Sequence, residues 1–220
     1  MGIYMAFLLM QSEWPEELLW LYPLKTVMVG VVLLGFRKKY EELRVPPSST
    51  DLPGGWGNGF ISYSLAVLVG LIVIVVWIGV DPFYPGLTSL MGGKPSVPFD
   101  PTTIEPVTWR YTFIGFRVFG AVVVVAFMEE IFWRGFLIRW IDDNNFKRVP
   151  IGTFSWKSFG FTVVFFGLEH NQWLVGMFCG ALYNWLCYRR KDLFSCVLAH
   201  ATSNAALAAW VLWRGDWKFW

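Results

Sequence analysis

The stretch FMEEIFWRGF, residues 127–136, sets two carboxylates and a guanidinium, Glu129, Glu130 and Arg134, inside one of the most apolar runs of the chain. Only two histidines occur, His170 and His200, both in apolar sequence, and Asn204 follows the second by four positions. Together these residue types can do acid–base work. A carboxylate and an imidazole can share and orient a water, while an imidazole and a side-chain amide can donate hydrogen bonds to an oxyanion. The set suits hydrolysis of an amide bond.

Helical spacing divides the acidic pair. Glu130 and Arg134 stand at i, i+4 and can pair on one face, whereas Glu129 is turned about 100° away and has Trp133 at its own i+4 position. Arg134 is therefore best matched to Glu130. Glu129 is then left without a cation of its own, a setting that suits a general base. The alternative is an ion-pair knot that only fixes helix packing, since buried charges need not be catalytic. Phe166 precedes His170 by one helical turn in FFGLEH, and Ala201, Ala205 and Ala209 form a small-residue ridge beside His200 that would let a neighbouring helix come close.

The elements that hold these groups read as membrane helices. The 220 residues are 55% hydrophobic and 15% charged, with a mean hydropathy of +0.48, more apolar than a soluble domain of this length can hide. The 14 tryptophans suit interfacial aromatic belts. Spanning or partly spanning runs cover 18–36, interrupted by Pro23 and Lys25, then 60–80, 109–141, 156–170, 172–188 and 192–213. The expectation is an all-α, polytopic transmembrane bundle of about six to eight helices, one membrane-embedded domain over 1–220 with its chemistry in 118–213. The opening MGIYMAFLLM lacks a basic n-region and a cleavage site, so it reads as retained protein, too short to cross alone.

Residues 45–59 read as a Pro/Gly loop, and 81–108, with six prolines, as a long extramembrane loop. The LEHNQ stretch, 168–172, is a candidate turn at membrane depth, tolerable only where it is buried in protein or lines a watery cavity. Basic clusters at 37–39, 139–148 and 189–191 alternate between spans as cytoplasmic loops do, which turns the Pro-rich loop outward. Arg110 and Arg117 are expected to snorkel to the outer surface. Glu169 is expected at the cavity mouth, and Trp133 and Trp173 in packing or interface roles.

A charge at a helix centre costs about 2.5–3.5 kcal/mol, against about 0.3–0.6 gained for each Val, Ile, Leu or Phe. Six polar side chains scattered against lipid would be prohibitive. Convergence on one cavity is the economical arrangement.

Other chemistries stay open at this level. Glu129, His170 and His200 could form a zinc site with an open position for water, although no HExxH motif is present. Cys196 and His200 are i, i+4, and Ser203 neighbours Asn204, so either could be cast as a nucleophile, but both readings leave Glu129 idle. Cys179, Cys187 and Cys196 show no CxxC pairing and read as buried thiols. A non-catalytic membrane binding or immunity protein would use the cavity to hold a peptide tail, and a proton-coupled carrier would use Glu and His as a relay. The second lacks an inverted repeat. A net charge of +2 without a basic, aromatic-laced patch excludes a nucleic-acid partner.

EEIFWR (Glu129, Glu130, Arg134), FGLEH (Phe166, His170) and HATSN (His200, Asn204) match, in order, the EExxxR, FxxxH and HxxxN motifs of the CPBP family, the CAAX-protease and bacteriocin-processing membrane proteins. The chain thus resembles that family over 129–204. The resemblance implies a glutamate-type intramembrane endopeptidase without a metal cofactor, acting on a membrane-associated protein or peptide end, lipidated ends included. By the same resemblance Glu129 and His170 would activate water, His200 and Asn204 would stabilise the oxyanion, and Glu130, Arg134 and Phe166 would support the site. The tail from Gly167 to Trp220 is similar to CAAX prenyl protease-related proteins found with exosortase sorting systems, which implies a bacterial plasma membrane and such a system as partner.

Overall fold

The computed structural model describes residues 1–14, 17–43, 59–93 and 98–220, and among these there is helix but no strand. Seven helices carry the architecture: α1 (Gly2–Glu13), α2 (Leu18–Phe36), α3 (Gly59–Val80), α4 (Val107–Asp142), α5 (Trp156–Leu168), α6 (Trp173–Arg190) and α7 (Leu193–Arg214). Four apolar stretches, Leu18–Lys39, Tyr63–Leu90, Val107–Asp142 and Leu193–Arg214, are long enough to cross a bilayer. The outer faces are apolar: Val31 is 62% and Val75 70% exposed, a surface that belongs in lipid. The protein is an integral membrane helical bundle.

Local chemistry fixes where helices begin and end. The Ser155 hydroxyl caps α5 by accepting from Ser158 N, and the Asp192 carboxylate caps α7 by accepting from Phe194 N and Ser195 N. Lys191 takes a left-handed conformation (φ 51°), so α6 and α7 are joined by a two-residue turn. Between α5 and α6 the chain turns over 169–172, as the LEHNQ stretch suggests, and two glycines let the helices close on each other. A Cβ on Gly176 would come within 3.0 Å of Gly167 Cα, and one on Gly167 within 2.7 Å of Trp173 O.

The two ends of the bundle are chemically distinct. At one end Arg139 pairs with Glu42 (2.6 Å) and donates to Val149 O, while Ser155 donates to Asp142, so the basic segments near 37–39, 139–148 and 189–191 gather there. Lys218 pairs with Asp81 at the other end (2.8 Å). The Pro-rich connection, read from the sequence as an ordered or semi-ordered loop, is described over 81–93 and 98–106. It holds a one-turn helix, Leu87–Leu90, and docks on the 169–172 turn: Leu87 N donates to Asn171 O, Thr88 N to Asn171 Oδ1, and the Trp173 indole to Pro85 O. The Pro/Gly loop expected at 45–59 lies, apart from Gly59, outside the described residues.

The helix α4 is not uniform. Gly120–Val125 and Ile131–Leu137 take the wider π pitch, and between them a regular turn, Ala126–Glu130, presents Glu129 and Glu130. The α3–α7 approach is made at Gly70, where a Cβ would lie 2.4 Å from Ala199 O. This corrects the expected ridge. The packed face of α7 runs through Ala199 and Ser203, whereas Ala205 and Ala209 are offset from it and exposed.

Candidate active site

Arg134 anchors the polar interior. It is 1% exposed and satisfies its guanidinium on α4 and α6: Nη1 to Glu130 Oε1 (3.1 Å), Nε to Asn184 Oδ1 (3.0 Å) and Nη2 to Gly180 O (3.1 Å). Its plane also lies over the rings of Phe166 and Tyr183, with centroids at 4.7 and 5.4 Å. A fully desolvated cation survives only with partners of this quality. Asn184 passes the network on through its Nδ2 to Thr162 Oγ1 (2.9 Å), which donates in turn to Ser158 O.

Glu130 does more than pair within its helix. Its Oε1 also receives His200 Nδ1 at 2.9 Å, which links α4 to α7. The carboxylate accepts, so Nδ1 carries the proton, and Nε2 is the nitrogen left for other work. Tyr183 stacks on the His200 ring (5.3 Å, 28°), and its hydroxyl is tied to Ser203 Oγ at 2.6 Å. The imidazole is thereby held in position and in tautomer.

His170 is fixed by a different device with the same result. Its Nδ1 lies 2.8 Å from Phe166 O, and a carbonyl can only accept, so Nδ1 is again the protonated nitrogen and Nε2 carries the lone pair of the neutral ring. Phe166, 1% exposed, touches every neighbour: its ring lies 5.1 Å from His170, 5.7 Å from Trp133 and 6.4 Å from His200. Trp77 meets the other edge of His170 at 5.3 Å.

Glu129 faces away from this knot. With His170, His200 and Asn204 it lines a cavity of about 760 Å³ enclosed by α1, α2, α4, the 169–172 turn and α7, with Asp81, Thr88 and Trp217–Trp220 toward the Asp81–Lys218 end of the bundle. Glu129 is 5% exposed, and its Oε2 is buried with no protein donor. Asn204 donates from Nδ2 to Ala121 O in the π-pitched turn of α4 (2.8 Å), which orients the amide and uses one of its two N–H groups.

The competing chemistries find less support. Among the described residues no three His, Cys, Asp or Glu side chains are grouped to hold a metal ion, so the donor set does not assemble as a zinc site. All three cysteines are buried thiols, and Cys196 Sγ faces the carbonyls of Tyr183 and Asp192, not an imidazole. Ser203 Oγ is engaged by Tyr183 and by His200 O. Glu169 accepts from the Trp133 indole (3.2 Å), and Trp133 is a buried packing residue.

Sequence reasoning missed several groups. Asn184, Thr162, Gly180 and Tyr183 had only one available signal, polar or small residues at helical spacing inside apolar α5 and α6. Arg117 calls for a correction. Arg110 does stay at the surface, paired with Glu105 at 2.7 Å, but Arg117 turns into the cavity, its guanidinium 4.9 Å from the Tyr22 ring and 5.4 Å from that of Trp220.

A family model described as type II CAAX prenyl endopeptidase, Rce1-like, matches residues 111–206, a segment that contains every motif residue discussed above. No curated protein and no solved structure matches the chain. Residues 111–206, less than half of the chain, are thus similar to a CAAX-protease-type endopeptidase domain, which supports the CPBP reading of the motifs.

Proposed function

We propose that the protein is a glutamate-type intramembrane endopeptidase whose reacting groups are Glu129, His170, His200 and Asn204. The observation that carries this reading is that the four line one chamber, with both imidazoles tethered at Nδ1 and Glu129 Oε2 buried without a protein donor. A water between Glu129 and His170 Nε2 loses a proton to this pair as its oxygen attacks the peptide carbonyl. The C–O bond forms and the carbonyl becomes an oxyanion. His200 Nε2–H and the second Asn204 N–H donate to it, with the Glu130 carboxylate as counter-charge for the imidazolium. Collapse of the intermediate breaks the C–N bond, and the proton held by the Glu129–His170 pair passes to the leaving amine.

Glu130, Arg134 and Phe166 act in this reading as positioning residues. They hold His200 and His170 in place, while Tyr183 backs His200. The substrate is a membrane-associated protein end, with C-terminal and lipidated ends the first to test. The motif resemblance also favours a bacterial plasma membrane and a partner of the exosortase sorting type.

The test compares membrane proteomes of cells carrying the wild type and the Glu129→Gln form. A C-terminally trimmed protein should be lost in the variant, while expression and substrate association persist. Continued trimming by the variant overturns the assignment.

A further inference from the structure

The residues that follow α7 form a small unit of their own. Gly215 ends α7 in the left-handed conformation (φ 67°), and a Cβ there would meet nothing nearer than Trp217 Nε1 at 3.9 Å, so the joint is not packed against the bundle. Beyond it Phe219 N donates to Asp216 O and Trp220 N to Trp217 O, and the Trp217 and Trp220 rings stack at 5.4 Å and 13°. The turn is held together from within. Its ties to the rest of the chain are made by side chains: Lys218 Nζ donates to Asp81 just past the end of α3 (2.8 Å), and the Trp220 ring lies 5.4 Å from the Arg117 guanidinium. Among the described residues no other hydrogen bond joins 216–220 to the bundle.

What the turn covers gives it a role. Lys218, Phe219 and Trp220 line the chamber of about 760 Å³ and also a second cavity of about 290 Å³ beside Val73 and Trp77 of α3. The other residues common to the two are His170, Gln172, His200 and Asn204, so the turn stands between the reacting groups and the Asp81–Lys218 end of the bundle. Lys218 also packs its ammonium on the Phe219 ring (4.6 Å), which couples the ion pair to the rings that fill the space. That ion pair is weak by construction: the Lys218 side chain is 45% exposed and water competes for it. A unit tied by two such contacts through an unpacked glycine is built to move.

We infer that residues 216–220 are a hinged lid on the chamber, latched by the Lys218–Asp81 pair and the Arg117–Trp220 contact, and that the lid swings on Gly215 before a peptide reaches Glu129. The lid stands on the geometry of the turn; its part in admitting a substrate rests on the protease reading. Phe219 and Trp220 occupy volume that an incoming peptide needs, so closed and open forms exclude and admit it. Each latch contact shifts the balance between the two forms, and any reaction that requires the open form runs in proportion to its population.

The first experiment reads opening without catalysis. The full chain carrying Ala121→Cys, a small residue that lines the chamber, is placed in lipid nanodiscs and treated with a charged methanethiosulfonate; the three native thiols are buried. Lys218→Met and Asp81→Asn should each raise the labelling rate by about two- to fivefold, the weight of a partly exposed ion pair. Trp220→Ala should act in the same direction, and deletion of 216–220 should raise the rate at least about tenfold. Equal rates in all forms overturn the inference. A rate raised by the deletion alone marks a fixed wall and overturns it as well. The second experiment asks what the lid admits. Asp81→Cys with Lys218→Cys, bridged by a bis-methanethiosulfonate, should trim the membrane protein that depends on this chain at least about tenfold more slowly than the unbridged form, and dithiothreitol should restore the rate. Full trimming with the bridge in place shows entry by another route, which overturns the gate and leaves the protease reading intact. Absence of trimming by the chain with Glu129 in place removes the protease reading, while the labelling rates still decide the lid.

Discussion

Glu129 and Glu130 are consecutive residues of one helix turn, yet they belong to two regions built on opposite principles. Glu130 joins a knot in which its Oε1, Arg134, Asn184, Gly180 O and His200 bond one another across α4, α6 and α7, and only its Oε2 lacks a protein donor. Glu129 faces a chamber of about 760 Å³ in which Lys25, Arg117 and its own Oε2 find few protein partners. Buried charge is thus compensated by the protein on one side of α4 and left for an incoming molecule on the other. A satisfied network fixes geometry, and an unsatisfied one binds.

Replacement on each side should break the molecule in a different way. The largest effect is expected for Glu129→Gln, which should lower cleavage by about 10²–10⁴-fold with an unchanged thermal midpoint in detergent. Arg134→Met should do the opposite: Glu130 is left buried without its guanidinium and with only the His200 N–H, at a cost of about 3–5 kcal/mol, read as loss of folded yield and of midpoint. Adding Glu130→Leu to that variant should return stability toward the wild type without restoring cleavage, because His200 Nδ1 then has no acceptor. Asn184→Leu removes the acceptor of Arg134 Nε and should cost about 1–3 kcal/mol, with partial activity. The smallest change is expected at the exposed end of the chamber. Lys218, whose side chain is 45% exposed in its pair with Asp81, should contribute no more than about 1 kcal/mol, so Lys218→Met should leave the midpoint nearly unmoved.

Much of this was legible in the sequence, and the limits have physical causes. Apolar runs marked the helices because a bilayer demands length and hydrophobicity whatever the packing, and the i, i+4 spacing foretold the Glu130–Arg134 pair because both residues ride one helix. The 169–172 turn announced itself by polar residues between apolar segments. What escaped depends on how helices are rotated against one another. The Glu130–His200 bond spans 70 positions, and the Arg134–Asn184 bond 50. No local period encodes either. Arg117 was misplaced for the same reason: nothing in its neighbourhood tells whether a cation one third of the way along a helix meets lipid, surface or cavity. The π-pitched turns that flank Glu129 left no pattern in GAVVVV or IFWRGFL that distinguishes them from a regular helix.

The central claim is that Glu129 and His170 work on one water as a single unit. A double-mutant cycle on kcat/KM, made with the membrane protein whose trimming depends on this chain, tests it most directly. Glu129→Gln and His170→Ala should each remove nearly all catalysis, and the double variant should be no slower than the worse single one, as for residues that act together. Losses that multiply, so that the double variant falls by the product of the two, would show two independent contributions and contradict the account.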